Sequence, residues 1–181
     1  VTDGTNTTTQ ALTINIIDID ELGNAPVLTS ATVFSIDENQ TSVDTITATD
    51  ADGDTLTYSL TGTDASSLNI GSNSGVITFN SAPDYETKSS YSVTVTVSDG
   101  TNTDTQALII NVSNVNEFSP VITSSPSVTV DENQTSVLTA TATDGDTSES
   151  LTFSLSGTDA SAFSINSSTG VITFNSAPDY E

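Results

Sequence analysis

The chain has 181 residues, of which 24 are acidic and only Lys88 is basic; its formal net charge is −23, and it holds neither Cys nor His. Nucleic acid and anionic membranes are recognised through clustered Lys and Arg, so a polyanion of this kind excludes both as partners. The missing thiols and imidazoles exclude disulfides, thiolate or imidazole zinc sites, and Cys- or His-based catalysis. Hydrophobic residues make up 34% of the chain, enough to predict a folded, soluble protein despite the charge. No run approaches the roughly 20 apolar residues of a membrane span.

Taken in order, Val1-Thr2-Asp3-Gly4 reads as the end of a strand and a turn, and residues 10–17 read as a further strand. An acidic stretch then leads to Pro26. From there apolar residues recur with period two, the pattern of half-buried strands. The predicted strands cover residues 32–36, 43–48, 56–60, 68–70, 77–79, 91–98 and 108–112. In Tyr91-Ser92-Val93-Thr94-Val95-Thr96-Val97-Ser98 the alternation with hydroxyls is strict. Asp52-Gly53-Asp54, the stretch 71–75 and Asp99-Gly100 mark turns between strands. No apolar set recurs at three and four, so no substantial helix is expected.

The sequence repeats itself. Asp37-Glu38-Asn39-Gln40-Thr41-Ser42-Val43 returns as Asp131-Glu132-Asn133-Gln134-Thr135-Ser136-Val137, and residues 75–86 return unchanged as 170–181. Asp3-Gly4-Thr5-Asn6 returns as Asp99-Gly100-Thr101-Asn102. With the proline after each acidic linker as boundary, residues 1–26 are the C-terminal part of one repeat, 27–120 a complete repeat, and 121–181 the N-terminal two-thirds of a third. The chain therefore reads as a segment of a tandem array. A period near 95 residues exceeds helical solenoid repeats and suits a sandwich domain. About seven strands in that length predict an all-β, Ig-like, antiparallel Greek-key β-sandwich.

The acids gather at a few places in each repeat: around Glu38, at 50–54, at Asp84 and Glu86, at Asp99, and before the boundary proline. Strand ends alternate between the two poles of a sandwich, so several carboxylates can meet at the pole facing the next repeat. Bare, they would repel one another; a hard cation removes that conflict. Calcium takes six to eight oxygens from Asp, Glu, Asn and backbone carbonyls in irregular geometry, which fits this inventory better than zinc or magnesium.

These motifs resemble those of cadherin domains, of the bacterial cadherin-like kind found in large repetitive surface proteins. The resemblance spans the chain. Glu38 and Glu132 match the glutamate that family carries near the end of its first strand. Asp50 with Asp52, and Asp144 with Asp146, match its D-x-D; Asp84 with Glu86, and Asp179 with Glu181, match its D-x-E; Asp99 and Asp3 match the Asp before its last strand. The linkers depart from the family's D-x-N-D-N-x-P. Asn114-Val115-Asn116-Glu117-Phe118-Ser119-Pro120 has Phe at the last Asn, and the linker containing Asp18, Asp20, Glu21 and Asn24 is two residues longer.

The resemblance implies calcium at the second junction, between the complete repeat and the third, held by Glu38, Asp84, Glu86, Asn114, Asn116, Glu117, Asp144 and Asp146. At the first junction it implies a partial set of Asp18, Asp20, Glu21, Asn24, Asp50, Asp52 and Asp99. The acids read alternatively as surface charge for solubility. A glycosidase pair of Asp84 and Glu86 is disfavoured, because residues two apart on a strand share a face and no Trp-lined cleft accompanies them. The expected function is that of calcium-stiffened, non-catalytic extender repeats of an exported bacterial adhesin or surface filament. The alternative is a homophilic or carbohydrate-binding module using the sandwich surface. Expected partners are neighbouring repeats of the same chain. Residues 10–17 can also be read as a strand donated to another copy in a filament, although neighbouring sequence in a continuous array is the preferred partner.

Overall fold

The computed structural model describes residues 1–17, 23–146 and 149–181. Residues 27–120, called the complete repeat after the reading above, contain β1 (Val27–Leu28), β2 (Val33–Asp37), β3 (Ser42–Thr45), β4 (Ala48–Thr49), β5 (Thr57–Thr61), β6 (Leu68–Ile70), β7 (Val76–Phe79), β8 (Ser90–Ser98) and β9 (Thr103–Ser113). One four-stranded sheet has the order β2-β9-β8-β5, a three-stranded sheet has the order β3-β7-β6, and β1 pairs with β4. The only helical elements among the described residues are single 3-10 turns at Ala65–Ser67 and Ala160–Ala162.

The period-two pattern becomes the core. Val93, Val95 and Val97 of β8 face inward with Leu108, Ile110 and Val112 of β9, while Thr94 and Thr96 lie on the other face of the sheet. Ile46, Leu68, Ile77 and Phe79 close the core from the opposite side. Phe79 meets the Tyr91 ring edge to face, with centroids 4.8 Å apart, a favoured arrangement of aromatic quadrupoles. Gly75 closes the turn before β7 at φ +68°, and a Cβ there would lie 2.3 Å from the Ile46 carbonyl oxygen. Only glycine fits that approach.

Two expectations within residues 27–120 are corrected. The segment 43–48 is divided: β3 pairs with β7, and β4 pairs with β1 after a break at Ile46 and Thr47. The sandwich is also not wholly antiparallel, because β2 runs parallel to β9, from Val33 opposite Ile109 to Asp37 opposite Ser113. The reason is the path of the chain. Leu28 donates its N–H to Asp104 at the start of β9, and Glu38 donates its N–H to the Ser113 carbonyl at the end of β9. The repeat therefore begins at one pole and finishes at the other, which makes its first and last long strands run in the same direction.

Residues 121–181 repeat half of this plan with β10 (Val121–Ile122), β11 (Ser136–Thr139), β12 (Ala142–Thr143), β13 (Phe163–Ile165) and β14 (Val171–Phe174). Their sheets, β11-β14-β13 and β10-β12, mirror β3-β7-β6 and β1-β4. The counterparts of β2 and β5, near 127–131 and 151–155, form no strand. In the complete repeat those strands bond only to β9 and β8, and residues 121–181 hold no counterpart of either. Ile172 and Phe174 are half-buried where Ile77 and Phe79 are buried. The strand expected at residues 10–17 does not form: Leu12, Ile14 and Ile16 are exposed, and upstream of them Thr2 and Thr7 form an isolated bridge. Alternation alone gives a strand nothing to hydrogen-bond with.

Candidate metal centre

The trailing pole of the complete repeat is organised by Glu38, directly after β2. Asn39 follows it at φ +64°, a left-handed conformation that Asn tolerates, and donates its N–H to the Pro83 carbonyl. This reversal turns Glu38 into the pole, where it is 2% exposed. Its Oε2 accepts the Tyr85 N–H at 2.8 Å and its Oε1 accepts the Val115 N–H at 2.8 Å. One carboxylate thus ties together the end of β2, the D-x-E loop and the linker.

Oxygens of Glu38, Asp84 and Glu86 lie within 4.8 Å of one another. Asp84 is partly engaged, accepting from the Thr87 N–H and hydroxyl. Both oxygens of Glu86 are shielded and have no hydrogen-bond partner. Desolvation first, then the carboxylates of Glu38, Asp146 and Asp84, push the Glu86 carboxyl above its ordinary value. Lys88 gives no relief, because its ammonium is paired with Asp64 and lies over the Tyr91 ring.

The third repeat contributes Asp146, which is 1% exposed. Its Oδ2 accepts the N–H groups of Glu117 at 3.1 Å and Phe118 at 2.9 Å, while Oδ1 is buried without a hydrogen bond. Asp144 accepts the Asp146 N–H and is half-buried. Asn39 donates from Nδ2 to Glu117 Oε2, a bond between the complete repeat and the linker. Asn114 is half-buried; Asn116 is exposed and shares a groove with Phe118 and Asp144.

At the leading pole the oxygens of Asp50, Asp52 and Asp54 cluster within 4.8 Å. Asp50 Oδ1 accepts the N–H groups of Asp52 and Asp54. Asn24 clasps Asp52, donating its N–H at 2.6 Å and its amide to both carboxylate oxygens. Asp99 Oδ1 accepts from Asn102 and Thr101 N–H, which hold its carboxyl below the ordinary value; its Oδ2 is shielded without a hydrogen bond. Asp18, Asp20 and Glu21 lie outside the described residues.

Two participants were not singled out from the sequence. Asp54 was read as part of a turn and of the acidic stretch 50–54 but not among the metal ligands, although a third acid four residues after Asp50 was a visible signal. Asn39 belongs to the repeated Asp37-Glu38-Asn39 motif, but its reach to Glu117 depends on the turn that follows β2.

An all-β sandwich with carboxylates gathered at both poles and a linker bonded into the next unit is a tandem repeat module. Residues 32–113 match the Cadherin domain family. The chain is 32% identical, over 98% of its length, to the mouse and human proteins Cadherin EGF LAG seven-pass G-type receptor 2, and 32% identical, over 87%, to the Drosophila melanogaster Fat-like cadherin-related tumor suppressor homolog. It superimposes on mouse Cadherin-23 EC22-24 with a TM-score of 0.72 and 28% identity, covering 91% of this chain and 58% of that one. The chain belongs to the cadherin domain family. It spans only about 6% of the length of the two receptors. The named relatives are animal proteins and give no support to the bacterial source expected from the sequence.

Proposed function

We propose that this chain is a run of calcium-stiffened, non-catalytic repeats, divided as 1–26, 27–120 and 121–181, that acts as a spacer in a large adhesive protein at the cell surface. The observation that carries the reading is the set of shielded oxygens without hydrogen bonds, both of Glu86 and Oδ1 of Asp146, beside the converging carboxylates of Glu38 and Asp84. Buried carboxylates persist when paired or when they coordinate a metal, and the single base of the chain is committed elsewhere.

The donor set fits calcium: carboxylates, amides and backbone carbonyls, with no nitrogen or sulfur ligand. Glu38, Asp84, Glu86, Asn114, Asn116, Glu117, Asp144 and Asp146 would hold it at the second junction. Asp50, Asp52, Asp99 and Asn24 would do so at the first, with Asp54 added to the set expected there. When bound, calcium supplies the positive charge that lets carboxylates from both sides of the linker stay together. The chain's own groups already orient the site. Glu38 fixes the D-x-E loop and Val115, Asp146 fixes Glu117 and Phe118, and Asn39 joins the two halves. Millimolar calcium outside the cell supports the extracellular placement, and repetition of one module favours length over recognition.

The homophilic or carbohydrate-binding reading is less favoured, since Phe34, Tyr58, Phe79 and Tyr91 of the complete repeat are committed to the core. Neighbouring repeats of the array, rather than another copy, are the partners this reading gives to the open strand edges. The test is thermal unfolding in calcium and in chelator. Calcium should raise the melting temperature of the chain, and Glu86→Gln should remove most of that gain. Equal melting temperatures in both conditions would overturn the reading.

A further inference from the structure

Lys88 stands two residues after Glu86, and its N–H donates to the Asp84 carbonyl at 2.9 Å. The only base of the chain therefore springs from the loop that carries two of the converging carboxylates. A buried carboxylate is relieved by a paired cation, and an ammonium tethered this closely would meet the cluster at an effective concentration on the order of millimolar or higher. The charges acting on Glu86 are nevertheless all negative, those of Glu38, Asp146 and Asp84, and both Glu86 oxygens lack a hydrogen-bond partner. Lys88 is held elsewhere.

The place that holds it is built from the body of the sandwich. Asp64, just before the 3-10 turn, is fastened to β8 twice: its N–H donates to the Ser92 carbonyl at 3.3 Å, and its Oδ2 accepts the Ser92 N–H at 2.8 Å. That leaves Oδ1 for the Lys88 ammonium. The Tyr91 ring lies under the ammonium, with its centroid 4.7 Å from Nζ, and is itself packed against Phe79. None of these groups belongs to the 84–88 loop. The Asp64 side chain is only 12% exposed, so salt screens the pair less than it would a surface one. We infer that Asp64 and Tyr91 form a holding site for the chain's single base, which keeps the Lys88 ammonium off Glu86 and Asp84 and so reserves those carboxylates for a divalent cation. Asp64 is a positioning residue, acting through Lys88. Released, the ammonium would compete from within the chain for the same oxygens. The inference rests on the calcium reading and names the residues that decide whether the pole takes calcium or neutralises itself.

The experiment compares the 181-residue chain with Asp64→Asn, with Lys88→Gln and with the double variant Asp64→Asn/Lys88→Gln. Asparagine keeps an acceptor for the Ser92 N–H and removes the charge that holds Lys88. Titration calorimetry with calcium chloride measures affinity, and melting temperature is measured in chelator at neutral pH. Asp64→Asn should bind calcium at the second junction about tenfold more weakly than the parent chain, whereas Lys88→Gln and the double variant should bind within about twofold of it. In chelator, Asp64→Asn should melt above the double variant, because the freed ammonium relieves a pole that the double variant leaves bare. A pair that merely braces the loop gives a different pattern: Lys88→Gln binds as weakly as Asp64→Asn, and the double variant restores nothing. That pattern overturns the inference alone, as does an Asp64→Asn chain that binds like the parent or melts below the double variant. A parent chain that takes up no calcium overturns it together with the calcium reading.

Discussion

Glu38 Oε1 accepts the backbone N–H of Val115 at 2.8 Å, joining the end of β2 to the linker across 77 positions of sequence. The partner oxygen holds Tyr85 in the same way, so a single buried carboxylate organises three segments of the pole.

Removing that carboxylate should be costly even without metal. Glu38→Ala strands two backbone donors, and a hydrogen bond to a charged acceptor contributes about 1.5–3 kcal/mol. Urea unfolding in chelator should show a loss of about 2–4 kcal/mol for Glu38→Ala. Glu38→Gln should lose less, because its amide oxygen still accepts one bond. A Glu38→Ala chain as stable as the parent would show that the pole is held by other contacts.

Chelation should change shape as well as stability. The linker is anchored to the complete repeat through Val115 and to the third repeat through Glu117 and Phe118, which leaves Asn116 between the anchors. With like charges uncompensated across this short segment, the chain should bend there. Small-angle scattering should give a larger maximum dimension in calcium than in chelator at equal ionic strength.

Gly75→Ala tests the turn before β7. The left-handed φ and the contact with the Ile46 carbonyl oxygen should together lower stability by about 2–4 kcal/mol. Gly170→Ala, at the equivalent turn against the Ala140 carbonyl, should produce a smaller loss because the surrounding core is less buried. Chemical denaturation of both variants measures the difference.

Acid should weaken the complete repeat through Asp64. The Lys88 side chain, followed by the Ser92 N–H, lowers the Asp64 carboxyl below its ordinary value of 3.8. A group whose folded pKa is depressed contributes stability that is present above its unfolded pKa and lost as pH falls through the folded one. Stability in chelator should therefore drop as pH falls below about 4. Asp64→Asn should shrink that part of the slope and leave stability above pH 6 only slightly reduced, since the Lys88 end of the pair is partly exposed. Fluorescence-monitored unfolding of both proteins from pH 3 to pH 7 provides the comparison.

The repeat, the strands and the acidic motifs were legible because each is written in short-range pattern: period-two alternation in 91–98, near-identical segments about 95 residues apart, and acids at fixed places in each copy. These features set the fold class and the family. Pattern could not show that β2 runs parallel to β9, that the segment 43–48 divides between two sheets, or that residues 10–17 form no strand. Pairing is a property of two segments and of the path between them, so an alternating segment without its partner has no ladder to join. The same holds for the pole. Asp146 and Glu86 are 60 positions apart and carry no shared motif; the meeting of their charges, and the Phe118 ring that lies on Gly145, arise only when the linker lays the third repeat against the complete one.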